Sequence, residues 1–229
     1  MRTRPAPSIP DALPELRPGR HRRPEQGGCL MEWTSVLAGE RWSDHPTCTH
    51  PLLAHLARSV NDLVEDGSRA GLTHLVPDLV GTNSDDPAWA LEIADVAARH
   101  ALPVARVQDA RVLAVALITL DKLLEPVDGR PAGARRRTTV DALATVPLDA
   151  AWAERFTKAM GRPRRTRDLP RGVVDVSLAA VAMGPHCDED LVAMLRHAVA
   201  TCRAMVPPRA DLDGAGSLTW RGLVEAQAS

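Results

Sequence analysis

Apolar residues recur along this 229-residue chain at intervals of three and four, which predicts one helix after another. Leu30, Trp33, Val36 and Leu37 share the face of a helix that frays at Gly39 or just beyond. Pro51 then opens a second helix carrying Leu52, Leu56, Val60, Leu63 and Val64 on one side. Leu72, Leu75, Val76, Leu79 and Val80 predict a third helical element, kinked or split at Pro77, which lacks the N–H a helix interior needs. "NSDDPAWALEIADVAARHAL" predicts a helix with Ser84 as N-cap and Pro87 in its first turn. "PVARVQDARVLAVALITLDKLLEP" predicts a long, centrally placed apolar helix ending before Pro126.

Beyond the break at "VDGRPAGARRRTT", "TVDALATV" and "LDAAWAERFTKAMG" read as a short and a medium helix separated by Pro147. "VVDVSLAAVAMG" begins β-branched and ends Ala-rich, and is read as helix. "CDEDLVAMLRHAVATCRAMV" places its acids in a first helical turn, where the helix dipole favours them, and "SLTWRGLVEAQ" reads as a short terminal helix. The expected fold is all-α, a multi-helix globular bundle of about eight to nine helices. Its expected organisation is a disordered Pro/Arg-rich arm over residues 1–27, an N-terminal helical module over 28–125 and a loop or linker over 126–138. C-terminal helices over 139–229 then pack on the first module as one domain.

Composition narrows the function classes. Lys plus Arg number 28 against 29 Asp plus Glu, so no global field draws the chain to nucleic acid or to an anionic membrane. Aromatics make up 3%, with no Tyr and Phe156 alone, which favours helix over strand. The first 27 residues hold no apolar signal segment, and no apolar run reaches the roughly 20 residues that span a bilayer. The expectation is a cytoplasmic protein without membrane contact, in which Cys29, Cys48, Cys187 and Cys202 are thiols, metal ligands or buried apolar groups.

Chemistry-bearing residues concentrate in "GGCLMEWTSVLAGERWSDHPTCTHPLL". Projected at about 100° per residue, Trp33, Val36 and Glu40 fall within roughly 40° of Cys29, with Glu32 about 60° to one side. Carboxyl groups beside an apolar stripe need a cation, a hydrogen-bond network or a proton. Thiolate, imidazole and carboxylate bind zinc or non-haem iron, so Cys29, Glu32, Glu40, Asp44, His45, Cys48 and His50 supply a candidate metal set, of which a subset would serve. The spacing holds neither C-x2-C nor H-x3-H, and the alternative is a packed corner of buried thiols and capped turns. Cys48 beside His45, His50 or His55 is the one candidate nucleophile, without a Gly-rich turn to form an oxyanion hole. His186 to Asp190 reads as a helix start. Arg135, Arg136 and Arg137 in one loop, and Arg162, Arg164, Arg165 and Arg167 in another, are candidate contacts for phosphate or nucleic acid.

The residues Cys29, Met31, Glu32, Ala38, Gly39, Glu40, Trp42 to Pro46, Cys48, Pro51, Asn61 and Asp62 carry a resemblance. In them the first third of the chain is similar to a group of uncharacterised actinobacterial and actinophage proteins with a C-x-M-E…A-G-E-x-W-S-D-H-P-x-C module. The resemblance implies a shared N-terminal module and transfers no catalytic residue. The favoured functional expectation is a non-enzymatic interaction or adaptor module in an intracellular complex, with a protein partner. The alternative is a zinc- or iron-binding protein, enzymatic or not, with its site in residues 29–50.

Overall fold

Ala- and Leu-rich segments form helices, and Pro- and Gly-bearing turns join them; the computed structural model describes residues 15–161 and 167–207. The helices are α1 (Leu30–Leu37), α2 (Pro51–Leu63), α3 (Asp66–Ala70), α4 (Val76–Leu79), α5 (Ala88–Ala101), α6 (Val107–Leu124), α7 (Arg137–Ala144), α8 (Pro147–Met160), α9 (Leu169–Ala182) and α10 (Cys187–Met205). Short 3-10 turns span Pro24–Gln26, Gly71–Leu75 and Leu102–Val104. The fold is all-α, and extended pairing among the described residues is confined to two isolated bridges, Leu16 with Gly28 and Thr49 with Thr82.

Three elements differ from the periodicity reading. The third helical element divides into α3, a 3-10 turn and α4, with Pro77 inside the first turn of α4, where its missing N–H is harmless. Helix α5 starts at Ala88 rather than after Ser84, because Pro87 disfavours helical backbone at Asp86. Asp86 Oδ1 accepts from Ala88 N at 2.9 Å, while Ser84 Oγ accepts from Asp86 N one turn earlier. Residues 15–27, expected to be a loose arm, attach firmly to α1 and α2. The "SLTWRGLVEAQ" segment lies outside the described residues.

Helix α5 occupies the middle of the bundle, contacting α9, α10 and α6, and its buried alanines Ala94, Ala97, Ala98 and Ala101 allow these neighbours close approach. Helix α6 buries Leu113, Leu117, Ile118, Leu120 and Leu124, but its start leaves Val107 and Val112 exposed, so it is less surrounded than its composition predicts. Helix α8 packs on α6, and α2 packs against α9 and α10. One apolar core runs without interruption from Leu16 to Cys202. No helix among the described residues is long and apolar enough to cross a membrane.

Candidate functional site

The segment before α1 is a strap over α1 and α2. Arg17 N donates to Gly28 O and Gly28 N to Glu15 O, while Leu16 enters the core. Farther along, Gly19 N donates to Asp62 Oδ1 at 2.7 Å, and Asn61 Nδ2 to Arg17 O at 2.9 Å. Gly28 has no room for a side chain: a Cβ there would lie 2.7 Å from Trp42 and 2.8 Å from Trp33, two rings that meet edge to face. Glu32, 1% exposed, closes the arrangement. Its Oε1 accepts from His21 N at 2.7 Å, and its Oε2 accepts from Cys29 N at 2.8 Å and lies 3.0 Å from His21 Nδ1. The Cys29–Glu32 pair forms a capping box at the start of α1. Burial, helped by the Glu32 charge, pushes the Cys29 thiol up to about 12, so it stays protonated at neutral pH.

The rest of the candidate metal set is dispersed. Helix α1 ends at Leu37, followed by Gly39 at φ 72°, so Glu40 leaves the stripe on which the projection put it. Both Glu40 oxygens hold the turn, accepting from Thr47 N at 2.7 Å and Thr47 Oγ1 at 2.8 Å. Burial opposes ionisation of Glu40, but the Thr47 bonds outweigh it and hold the carboxyl below its ordinary value. Burial likewise opposes ionisation of Asp44, and its hydrogen bond and ion pair with His45 outweigh that and lower it. His50 caps α2, its Nδ1 accepting from Leu52 N at 3.2 Å, with its ring stacked near Trp89. Cys48 sits against Thr49 Oγ1, and burial raises its thiol. His55 instead reaches Asp175 on α9 at 2.6 Å. Among the described residues, no group of three or more His, Cys, Asp or Glu side chains is placed to hold a metal ion.

The arginines at the start of α7 pair with carboxylates, Arg136 the most deeply. Arg136 grips Glu92 at 2.5 and 2.7 Å and Asp128 at 2.5 and 2.7 Å, Arg135 pairs with Glu154, and Arg137 pairs with Asp141. The hydrogen bonds from Arg136 hold the Asp128 carboxyl near 2, lowered to about 2. Arg135 and Arg136 thus spend their guanidinium groups on carboxylates, whereas Arg137 stands in solvent. Arg162, Arg164 and Arg165 lie outside the described residues, and Arg167 is exposed. His186 and Cys187 do stand at a helix start, where Asp188 Oδ2 accepts from Glu65 N and ties α10 to α3.

A histidine pair links α5 to α10, with His100 Nε2 3.0 Å from His197 Nδ1. Burial, then the charge of His197, lowers His100 from 6.5 to about 4. As pH falls from 6.5 to about 4, the unfolded chain takes up this proton before the folded one, so stability declines across that window and levels off below it. Thermal melts in graded buffers should show that decline, and His100→Gln should flatten it; an unchanged slope in the variant would refute the assignment. Nearby Asp95 is wholly buried: Oδ2 accepts from Arg99, Oδ1 has no partner among the described residues, and burial outweighs Arg99 to raise its carboxyl.

Helix α8 carries a feature that periodicity alone does not reveal. It turns its small residues Ala150, Ala153 and Thr157 to the core, leaving Leu148 85%, Phe156 40% and Met160 68% exposed. Trp152 is half-buried, stacked on Phe156 at 5.1 Å, and the Arg111 guanidinium lies over its ring at 5.3 Å. The i+4 spacing of Leu148, Trp152, Phe156 and Met160 is visible in the sequence, but such a row ordinarily signals a core face. No family model, curated protein or solved structure matches the chain.

Proposed function

We propose that this protein is a non-enzymatic helical interaction module that binds a protein partner through α8. The carrying observation is the outer face of that helix, where Leu148, Phe156 and Met160 stand exposed around the half-buried Trp152 while Ala150 and Ala153 face inward. Large apolar side chains left contiguous at a surface mark interaction sites, and Trp is enriched among residues that dominate binding. The corner at residues 29–50 supports this reading from the other side, because Glu32, Glu40 and His50 are occupied with capping α1, the following turn and α2. Free thiols at all four cysteines fit work in the reducing cytoplasm.

Leu148→Glu is the direct test. Tagged wild type and variant are used to recover bound polypeptides from the source cells, with Val127→Glu as an exposed control away from the row. The expected result is loss of bound polypeptide, a second copy included, in Leu148→Glu alone, with unchanged helical circular dichroism. Identical recovery by all three proteins would refute the reading.

A further inference from the structure

We propose that the cleft between the strap and the turn after α1 binds a small phosphate-bearing molecule, gripped by Arg20, Arg22 and the imidazole of His21. The inference makes no use of α8 and adds a ligand site to the strap.

The cleft encloses about 560 Å³, within the range of small-molecule sites, and is lined by Arg20, His21, Arg22, Glu32, Trp42 and Ser43. Trp42 alone among these is largely apolar, so the lining suits a charged occupant. The strap is pinned at its centre: His21 N donates to Glu32 Oε1 at 2.7 Å, and Trp42 Nε1 donates to His21 O at 2.9 Å. Those two bonds fix the backbone that carries Arg20 and Arg22, which lowers the ordering cost of binding.

His21 is aimed by a buried acid. Its Nδ1 lies 3.0 Å from Glu32 Oε2, and a carboxylate in that position sets the orientation of the ring and keeps a proton on the bonded nitrogen. Among the described residues Nε2 has no partner, and it is not one of their buried unpaired atoms, so it opens to the cleft. With a proton on Nε2 as well, the ring is a cation that donates to an oxygen in the cleft.

The two arginines have little else to hold. Arg22 is exposed and pairs with no carboxylate among the described residues, and Arg20 meets Asp44 only at 3.5 Å with 79% of its side chain exposed. Asp44 already has His45 at 3.0 Å, and such an exposed contact is cheap to exchange. Glu32 has its oxygens filled by His21 and Cys29. Ser43 Oγ accepts from His45 N, which leaves its hydroxyl proton to donate. Guanidinium forks match phosphate oxygens in pairs. Two forks, an imidazole N–H and a hydroxyl exceed what the two oxygens of a carboxylate can use, whereas a phosphate group offers three.

Calorimetric titration of the full-length protein with inorganic phosphate and with glycerol phosphate tests this, in salt of about 0.1 M, where exposed charges are screened beyond about 10 Å. Saturable binding is expected, weakened about fivefold or more by Arg20→Gln and by Arg22→Gln. His21→Asn places an amide nitrogen where Nδ1 meets Glu32 and removes Nε2, so it should weaken binding while the ligand-free melting temperature holds. Arg155→Gln, exposed on α8, should leave the affinity unchanged. Because Arg20 and Arg22 are exposed, their variants carry the test even if His21→Asn loosens the strap. No saturable binding of either compound overturns the proposal, as does binding that both arginine variants retain in full. Undiminished binding by a folded His21→Asn overturns the role of the ring. Tighter binding of glycerol phosphate assigns the cleft to an organic phosphate and equal binding assigns it to the free ion, and both uphold the site.

Discussion

Replacing Asp121 with alanine is expected to remove about 3–5 kcal/mol of folding stability. The side chain is almost fully buried, and its Oδ1 accepts from Arg136 N and Thr139 Oγ1, both at 3.0 Å. Its Oδ2 lies 3.3 Å from Arg130, whose guanidinium also donates to the Asp121 and Ala134 carbonyls. Alanine thus strands a backbone N–H and a hydroxyl together, while Arg130 keeps Asp128 and two carbonyls as acceptors, and stranded partners cost more than the lost bonds contribute. Asp121→Asn keeps an oxygen for Arg136 N and Thr139, and should recover roughly half of the loss. Urea denaturation of the three proteins checks the ordering. An alanine variant within about 1 kcal/mol of wild type would refute the account of this loop.

Glu32→Ala is expected to be nearly as damaging, at about 2–4 kcal/mol, because the N–H groups of His21 and Cys29 lose their acceptor inside the protein. The damage should be localised. Hydrogen exchange should accelerate in residues 15–28 well before the central helices, since the strap hangs on Glu32, Asn61 and Asp62. Glu32→Gln keeps one acceptor but turns an amide donor toward donors, so it should fall between the two. Should residues 15–28 keep wild-type protection in the alanine variant, the strap is held by something other than this carboxyl group.

The helices were legible in the sequence because burial of one face imposes a period, and α2, α6 and α10 carry that period for thirteen residues or more. The strap left no such trace. Leu16 is its one buried hydrophobic residue, and backbone groups meeting side chains 43 and 44 positions away do the rest. The corner was legible as a place but not as chemistry: Glu32 and Glu40 projected near one face, and only the left-handed Gly39 separates them. Arg136 read as a loop cation because its acceptor Glu92 lies 44 residues upstream on another helix. In α8 both faces could bury something. Close approach to α6 selects the alanine face, which no pattern within α8 itself encodes.

That choice makes α8 the shallowest-rooted of the long helices. Ala150, Ala153 and Thr157 withdraw little apolar area from water on docking and Trp152 adds only part of its ring, so the free energy that keeps α8 closed on α6 is small compared with that of helices anchored by buried leucines. Whatever covers the outer row adds directly to that closure, by mass action. Occupancy of the surface and rigidity of the helix that forms it are thereby one equilibrium, and α8 is expected to breathe in dilute solution and settle as its partner accumulates.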